Sequence, residues 1–392
     1  MTGVYYFEEI DRIFNDNTEI EEFDIIPAMR PESKSCCPYV LDENKLGIFS
    51  WCVKDLFCYV YRQLMEKKRW KCIERTEEGV YIMKLSRIAL LLHAEDYTIW
   101  NLRKCCITKQ IEKQAKMELD FSALVLRKHP RSAETFSHRR WLINLLQRLQ
   151  EKLLKTPQFC QQELELSLLC ADRYRDNYIT WDHRCWVVEN FMLDKITWFE
   201  EELNSTKNWL WSHVSDNCVY HFREQLLKKL AAFCSLEKMR ELLLAEFKLT
   251  DEIINHYAVF ETVWYHRQFI ISFWSTKFQL CHSCLITWGN TGDQMSDKFK
   301  LLKDSENKLN SMSCQSCGHL DKNDVISITN EMKFCRQIIL QNNDHSPKLI
   351  RQSALAKSHV TWMRFFVRKY YKNLQNNVLL TIVCMTIIFT IW

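Results

Sequence analysis

Five arginines stand at a fixed distance from an aromatic residue, and a guanidinium in that setting can make one of two kinds of contact. Each arginine follows its aromatic by three positions, and the pairs are Trp100 and Arg103, Phe136 and Arg139, Trp181 and Arg184, Tyr220 and Arg223, and Trp264 and Arg267. Inside a fold, such an arginine would bond the last carbonyls of a neighbouring helix or stack on a ring. On a surface it would bind a partner, because arginine, tryptophan and tyrosine dominate interface hot spots. The spacing leaves both interpretations open.

The motif around each aromatic supplies the candidate binding residues, and histidines stand beside several of the arginines. We predict that these residues form an interface with a partner or a protein substrate. The predicted interface residues are Trp100, Asn101, Arg103, His138, Arg139, Asn177, Tyr178, Trp181, His183, Arg184, His221, Arg223, Trp264, His266 and Arg267. No Ser-His-Asp arrangement and no glycine-rich phosphate loop is recognisable in the sequence. No catalytic residue is therefore predicted on this chain.

Two Cys-x-x-Cys pairs are the candidate metal ligands. Cys281 and Cys284 form the first pair and Cys314 and Cys317 the second, and four thiolates could close a tetrahedral zinc site. The 29 residues between the pairs exceed the usual length of a zinc ribbon. The alternative is a polar insertion whose cysteines simply reflect a cysteine-rich chain, and the long gap favours it.

The spacing of the copies indicates which elements carry them. Successive aromatics are 36, 45, 39 and 44 residues apart, the length of a helix-turn-helix unit in a repeat array. Only six glycines and six prolines are present, which favours long helices with short connections and gives little support to strands. The predicted fold is therefore all-α, a right-handed-type α-solenoid of helical hairpins.

A polar residue four positions before the aromatic predicts where each second helix begins. Asp96, Ser132, Asn177 and Asp216 occupy this place, and each can accept the free N–H groups of a first helical turn. The fifth copy has Phe260 there, so its helix must begin differently.

Charge and cysteine usage narrow the classes of function. A net charge of +4, from 53 basic and 49 acidic residues, is no polyanion footprint, so binding of nucleic acid is not predicted. The 18 cysteines are scattered through apolar helical segments, and the acidic N-terminus has no apolar signal region. We interpret them as reduced thiols of a cytoplasmic protein.

The segments outside the repeats give three further expectations. An amphipathic helix within residues 1 to about 35 is predicted to dock loosely as a leader, and a helix is predicted from Asp42 to Lys68 with Asp42 as its N-cap. The apolar stretch Val378 to Trp392 would reach about 22 Å as a helix, short of a hydrocarbon core of roughly 30 Å. It is a tail anchor, a helix packed on the solenoid or its partner, or an atypical terminus, and it is the only segment for which membrane contact is considered.

The predicted organisation follows from these patterns. It comprises a leader at 1–40, a repeat solenoid at 41–280 with copies around 96–107, 131–143, 176–188, 215–227 and 259–271, a polar cysteine-containing insertion at 281–325, C-terminal helices at 326–372 and an apolar tail at 373–392.

The longest copy, Asn177-Tyr178-Ile179-Thr180-Trp181-Asp182-His183-Arg184-Cys185-Trp186, together with His129-Pro130-Arg131 and His138-Arg139-Arg140-Trp141, resembles the repeat of protein prenyltransferase α subunits. The resemblance covers about residues 40 to 275. The segments Val40 to Lys54, Ser205 to Trp209 and His213 to Asp216 point to the repeat-containing branch of this family.

This resemblance implies a crescent of helical hairpins wrapped around a separate β subunit that holds the catalytic zinc and the geranylgeranyl diphosphate. It implies the α-type subunit of a heterodimeric protein geranylgeranyltransferase of type III, inactive alone and paired with the Rab-type geranylgeranyltransferase β subunit. The implied acceptor is a C-terminal cysteine of a SNARE that already carries a farnesyl group. The alternative, from another class, is a helical-repeat scaffold that binds partners without transferase activity.

One position departs from the family pattern. Farnesyltransferase-type α subunits place a lysine immediately before the Asn-Tyr of this repeat, near the diphosphate, and Asp176 stands there instead. A direct role of that position in neutralising the leaving group is not expected, although Tyr178 is retained and Arg175 is adjacent.

Overall fold

The computed structural model divides the chain into two compact units, Met1–Asp194 and Lys195–Trp392. It describes residues 2–17, 19–31, 36–68, 76–107, 111–149, 157–191, 195–278, 328–340 and 346–366, with the single residues 326 and 369. The predicted insertion at 281–325, with its four candidate zinc ligands, lies outside the described residues, and so does the apolar tail at 373–392.

Helices dominate both units. Those of the first unit are α1 (Thr2–Asp16), α2 (Ser50–Lys68), α3 (Thr76–Leu92), α4 (Tyr97–Ile107), α5 (Ile111–Lys128), α6 (Ala133–Arg148), α7 (Pro157–Arg173) and α8 (Tyr178–Phe191). Those of the second are α9 (Lys195–Ser212), α10 (Asn217–Leu230), α11 (Leu236–His256), α12 (Glu261–Lys277), α13 (Ile328–Leu340) and α14 (residues 347–366). The all-α repeat architecture predicted from the sequence is confirmed.

Consecutive helices pack as antiparallel hairpins, and like helices of successive hairpins pack on each other. In the first unit α3 pairs with α4, α5 with α6 and α7 with α8, while α4, α6 and α8 follow one another in one layer and α3, α5 and α7 in the other. In the second unit α9 pairs with α10 and α11 with α12, and α10 packs on α12. Each hairpin therefore buries its apolar faces against its neighbours, as a repeat array must.

The predicted N-caps are confirmed. Side-chain oxygens of Asp96, Ser132, Asn177 and Asp216 accept backbone N–H groups of the first turns of α4, α6, α8 and α10, at 3.0, 3.1, 3.4 and 2.8 Å. Phe260 stands at the N-cap position of α12 and makes no side-chain cap hydrogen bond. These caps place each aromatic one turn inside its helix, so the aromatic and its arginine lie on one face.

A small sheet precedes α2, and here the sequence prediction is wrong. Strands β1 (Glu22–Ile26), β2 (Tyr39–Asp42) and β3 (Lys45–Phe49) form a sheet of order β1-β3-β2, with β1 parallel and β2 antiparallel to β3. Asp42 is therefore the last residue of a strand and not a helix cap. Glu43 follows it with a φ of 49°, and this left-handed residue turns the chain back into β3. The helix begins only at Ser50.

The N-terminal helix is also held more firmly than the sequence suggested. Tyr6, Phe7, Ile10 and Ile13 are buried in the core of the first unit. The Asp11 carboxylate receives hydrogen bonds from Lys84 Nζ and Arg87 Nη2 of α3, at 2.6 and 2.8 Å. The expectation of a loosely docked leader is wrong, because these four apolar side chains complete the core beside α2 and α3.

The described cysteines are free thiols, of which Cys52, Cys106, Cys160, Cys170 and Cys335 are buried. The buried ones pack as small apolar groups. None of the helices within the described ranges is both long enough and apolar enough to cross a bilayer.

Candidate functional site

Each of the five motif arginines is buried inside the chain, in the same setting every time. Its Nη1 donates to a hydroxyl 17 residues earlier and to a backbone carbonyl 20 residues earlier, both on the preceding helix. The hydroxyl and carbonyl partners are Ser86 and Met83 for Arg103, Ser122 and Leu119 for Arg139, Ser167 and Leu164 for Arg184, Thr206 and Leu203 for Arg223, and Thr250 and Phe247 for Arg267. The arginine thus fastens the two helices of its own hairpin.

In four of the five sets, the remaining donors of the guanidinium, Nε and Nη2, bind a buried glutamate on a following helix. Nε and Nη2 of Arg103 donate to the two Glu118 oxygens, both at 2.6 Å, and Arg139 binds Glu163 in the same bidentate way at 2.8 and 2.6 Å. The pairs Arg223 with Glu246 and Arg267 with Glu331 repeat this geometry at 2.5 to 2.7 Å. Bidentate, charge-assisted bonds of this kind are among the strongest in proteins.

A histidine of the following hairpin binds the same glutamate from the other side. The Nε2 atoms of His138, His183, His266 and His359 lie 2.7, 3.1, 2.7 and 2.7 Å from an oxygen of Glu118, Glu163, Glu246 and Glu331, respectively. Each of these glutamates therefore joins an arginine of one hairpin to a histidine of the next. We call each set an Arg-Glu-His staple.

The staples keep their four glutamates charged. Burial alone would raise the pKa of the carboxyls, but the arginine charge and the histidine hydrogen bond outweigh it. The pKa of Glu118, Glu163 and Glu331 falls to about 2, and that of Glu246 is also lowered. All four are carboxylates at neutral pH.

Two of the histidines differ in protonation because their surroundings differ. Burial lowers the pKa of His183 below 6.5 despite its bond to Glu163, and Nδ1 of this ring accepts from Arg140 Nε at 3.3 Å, which fits the neutral ring. Burial also disfavours the charged form of His266, but the negative charges of Glu224, 3.7 Å from Nδ1, and of Glu246, hydrogen-bonded to Nε2 at 2.7 Å, raise its pKa. The same motif position therefore holds a neutral ring in α8 and a protonation-prone ring in α12.

The motif aromatics pack against the rings of these histidines at tilted angles. The rings of Trp100 and His138 have centroids 4.3 Å apart, Phe136 and His183 4.9 Å, Tyr220 and His266 5.2 Å, and Trp264 and His359 5.1 Å. An aromatic three residues after each histidine also contacts its ring, and these aromatics are Trp141, Trp186, Phe269 and Trp362. The aromatic of one hairpin thus fills the gap to the next.

The last staple reveals a hairpin that the motif search missed. Glu331 on α13 binds Arg267 and His359 as the earlier glutamates bind their partners, but Val360 stands where an arginine would follow the histidine. The signal for the glutamates was present in the sequence. Glu118, Glu163, Glu202 and Glu246 each stand 21 residues before a motif arginine, with a serine or threonine four positions after each.

Glu331, Cys335 and His359 also lie close enough together to suggest a metal site. Cys335 stands four residues after its glutamate, the place that Ser122, Ser167 and Thr250 occupy in other copies. The Glu331 oxygens are already bound by Arg267 and His359, and burial raises the pKa of the Cys335 thiol. This cluster is therefore an Arg-Glu-His staple with a thiol in the hydroxyl position.

Comparison with known proteins agrees with this repeat. The model of the protein prenyltransferase alpha subunit repeat matches residues 115–146 and 160–191, which correspond to the hairpins α5–α6 and α7–α8. The chain is 32% identical to protein prenyltransferase alpha subunit repeat-containing protein 1 of Danio rerio, over 68% of this chain and 71% of the relative. The protein of the same name in Homo sapiens is 29% identical over 91% and 95% of the two chains, and protein 1-A of Xenopus laevis is 31% identical over 76% and 77%.

The chain belongs to the protein prenyltransferase alpha subunit repeat family. Within this family's repeat, the Arg-Glu-His staple explains the sequence motif physically, because aromatic, histidine and arginine all serve the packing of one hairpin on the next. Hairpins outside the two matched ranges carry the same kind of staple, around Glu246 and Glu331.

The predicted interface residues of the protein prenyltransferase alpha subunit repeats differ in their exposure to solvent. Twelve of the fifteen are buried in the chain, Asn101 is half-buried, and Tyr178 and His221 are exposed. That the buried residues contact a partner stays a prediction, and in the chain their contacts hold hairpins together. Asn177, for example, donates from Nδ2 to the carbonyls of Pro130 and Cys170 at 2.6 and 3.3 Å.

Tyr178 belongs to a cluster of side chains that faces outwards. It is 59% exposed on the first turn of α8, where the Arg131 guanidinium lies 5.8 Å from its ring centroid. Arg131 also donates to the Tyr174 hydroxyl at 2.9 Å. We call Arg131, Tyr174 and Tyr178 the Arg-Tyr patch. It combines an exposed cation with two phenol hydroxyls, the groups that bind an anion.

Proposed function

We propose that this chain is the α-type subunit of a heterodimeric protein geranylgeranyltransferase. It would select and position a protein that carries a C-terminal cysteine, with a singly farnesylated SNARE as the acceptor, for modification by a Rab-type geranylgeranyltransferase β subunit. The observation that carries this proposal is family membership through the alpha subunit repeat, with a regular staple between hairpins that keeps the array rigid. We place the protein in the cytoplasm.

The chemistry assigns different tasks to the two subunits. The acceptor thiolate sulfur forms a bond to C1 of geranylgeranyl diphosphate, the bond from C1 to the diphosphate oxygen breaks, diphosphate leaves, and the thiol proton goes to solvent. A zinc ion that lowers the thiol pKa and an apolar isoprenoid pocket belong to the β subunit in this proposal. Four of the five motif arginines, with His138, His183 and His266, are engaged in staples, and we propose that the chain by itself is inert.

The Arg-Tyr patch is the part of the chain that would face the reacting diphosphate. Asp176, beside it, carries a negative charge where a cation would be expected, and its side chain lies 3.3 Å from Arg175 Nε. The positive charge near the leaving group would instead come from Arg131, with the Tyr178 hydroxyl as a donor. Charge-assisted bonds of this type stabilise an anion as it forms.

Reconstitution tests the proposal. The chain, the β subunit, geranylgeranyl diphosphate and a singly farnesylated SNARE are mixed, and mass spectrometry follows the acceptor. We expect transfer by the heterodimer and none by either subunit alone. Arg131→Gln and Tyr178→Phe should each lower kcat about tenfold or more with the heterodimer intact, as expected for loss of donors to a leaving anion.

Tyr97→Phe is the matched control. Tyr97 is exposed on the first turn of α4, three residues before its motif aromatic, the place that Tyr178 holds in α8. Its hydroxyl should be dispensable for transfer. An assembled heterodimer that leaves several singly prenylated acceptors unmodified would instead favour the scaffold alternative.

A further inference from the structure

Helix α14 lies in a segment whose charges are all of one sign. Residues 346–372 contain seven lysines and arginines and no aspartate or glutamate. Helix α11, by contrast, carries Lys238 and Arg240 together with Glu237 and Glu241. Because the seven cations exceed the net charge of +4 of the entire chain, the remaining residues are together net negative. The positive charge of this protein is therefore concentrated in one short segment.

One side of α14 is fixed to the second unit. Val360 and Met363 are buried on this side, and Gln352 Nε2 donates to the Ile254 carbonyl at 3.0 Å. His359 belongs to the staple of α13 and is also buried. These contacts determine which face of the helix is left in solvent.

The solvent face of α14 carries cations that the fold leaves largely uncompensated. Lys348, Arg351 and Lys357 are exposed. The one ion pair of this face within the described residues joins Arg351 to Glu261 at 3.7 Å, and both side chains are more than half exposed. An exposed pair of this kind contributes little. The face therefore presents a positive potential to solvent.

Large apolar side chains stand among these cations. Phe365, near the C-terminal end of α14, is 67% exposed, and Ile350, near its N-terminal end, is 52% exposed. The rings of Trp362 and Phe366 are half-buried and stacked, with centroids 5.0 Å apart. Lysines and arginines combined with exposed phenylalanine are typical of helices that bind the surface of a membrane.

The composition of this face favours lipid over a protein partner. Lysine is depleted in the interfaces between proteins, whereas clusters of four to eight lysines and arginines on a helix bind anionic lipid headgroups. The sequence continues with Arg368, Lys369 and Lys372 and then with the apolar stretch Val378–Trp392. A basic cluster next to an apolar stretch is the order found at membrane surfaces.

We propose that the solvent face of α14 binds the surface of an anionic membrane. Lys348, Arg351 and Lys357 would contact the headgroups, and Phe365 would enter the boundary between headgroups and acyl chains. The inference goes beyond the proposed transferase function and does not depend on it. In an α-type subunit, this contact would bring the enzyme to the membrane, where an acceptor that already carries one lipid can bind.

Sedimentation of the full chain with vesicles tests the proposal. One set of vesicles is phosphatidylcholine alone, and the other also contains phosphatidylserine. Lys348→Glu combined with Lys357→Glu should weaken binding to the phosphatidylserine vesicles roughly tenfold or more and leave binding to phosphatidylcholine unchanged. Binding of the unmodified chain to the phosphatidylserine vesicles should also weaken as the salt concentration rises.

Phe365→Ser tests the apolar part of the contact and should weaken binding to the phosphatidylserine vesicles several-fold. Met117→Ser is its control, because Met117 of α5 has the same exposed fraction, 67%, and lies outside α14. Lys54→Glu combined with Arg62→Glu reverses two exposed charges of α2 and is the control for the α14 double variant. Both controls should bind vesicles as the unmodified chain does.

Four results would overturn the inference. They are equal binding of the unmodified chain to both kinds of vesicle, unchanged binding of the α14 double variant, an equal loss in the α2 double variant, and loss of co-purification with the β subunit in the α14 double variant. The last result would assign this face to that subunit. The vesicle measurements involve no acceptor and no transfer, so they decide the membrane contact even if the heterodimer transfers nothing.

Discussion

At the scale of single residues, a buried carboxylate controls how each hairpin packs on the next. Glu163 is 1% exposed and binds Arg139 of the preceding hairpin and His183 of its own. A buried ion pair gains little over an apolar contact, but removing one partner leaves an uncompensated charge in the interior. Each staple therefore depends on all three partners being present together.

Glu163→Gln should destabilise the protein by about 3 to 5 kcal/mol, because the Arg139 guanidinium would remain buried without its counter-charge. Denaturant unfolding of the variant beside the unmodified chain measures this change. Glu165→Gln is the control, since Glu165 is exposed two residues along the same helix and its loss should change stability by less than about 0.5 kcal/mol. Equal effects of the two substitutions would contradict the staple as a determinant of stability.

His183 and His266 occupy the same motif position, but their contributions to stability should depend on pH in opposite directions. The folded-state pKa of His183 is lowered, so the unfolded chain binds more protons below about pH 6.5 and the contribution of His183 to stability falls as pH decreases. The folded-state pKa of His266 is raised, so its contribution is complete below about pH 6.5 and is lost as pH rises through the folded value.

NMR of ¹³C-labelled histidine rings should show His183 titrating below and His266 above the ordinary value of about 6.5. Each signal can be assigned from the spectrum of a His→Gln variant. A His183 signal that titrates above this ordinary value would refute the neutral ring assigned to α8.

At the scale of elements, the N-terminal sheet depends on a close approach between two strands. Gly47 of β3 lies beside β1 and β2, and a Cβ at this position would stand 2.2 Å from Ile26 Cδ1 and 3.0 Å from Val40 Cγ1. Bonds from Arg127 to the Glu21 carbonyl and from Arg173 to the Glu22 carboxylate hold β1 near α5 and α7. The sheet thus connects the N-terminal segment with the repeat hairpins of the first unit.

The same substitution at two glycines should have opposite effects. Gly47→Ala should destabilise the protein by about 1 kcal/mol or more, because Ile26 and Val40 must move to admit a methyl group. Gly79→Ala, within α3, should stabilise it by up to about 1 kcal/mol through helix propensity. Thermal unfolding of both variants gives the sign of each change. A stabilised Gly47→Ala protein would mean that the strands are not packed this closely.

At the scale of the whole molecule, each compact unit contains Arg-Glu-His staples. Staples around Glu118 and Glu163 lie in the first unit, and staples around Glu246 and Glu331 lie in the second. Stability in such an array comes from contacts between neighbouring hairpins and not from one central core. The staples found among the described residues use no residue of the apolar tail at 373–392.

Deleting residues 378–392 should therefore leave the unfolding transition and heterodimer assembly unchanged, and solubility unchanged or improved, because an apolar segment is removed. Co-purification with the β subunit and analytical gel filtration measure these properties. Deletion of residues 2–16, which form buried helix α1, is the contrasting truncation and should destabilise the first unit. Loss of the complex when only the tail is removed would show that the tail belongs to the functional assembly.

The sequence by itself determined the repeat, the helices and their N-caps, because these features depend on local spacing. A cap such as Ser132 and the step from Phe136 to Arg139 act within one or two turns of a helix, so they can be read without knowledge of the rest of the fold. Family membership also follows from this local pattern. The glutamates 21 residues before a motif arginine were also visible in the sequence. Their role as partners of an arginine and a histidine cannot be deduced until the packing of the helices is known.

The tertiary structure decided which way the motif residues face and how the N-terminal segment folds. Helical spacing puts Trp181 and Arg184 on one face, but only the packed neighbouring helix makes that face an interior one. Between Tyr39 and Phe49 the apolar residues allowed either a helix or strands. Pairing of β3 with both β1 and β2 settled the choice, because backbone hydrogen bonds between strands distant in the chain cannot be deduced from local periodicity.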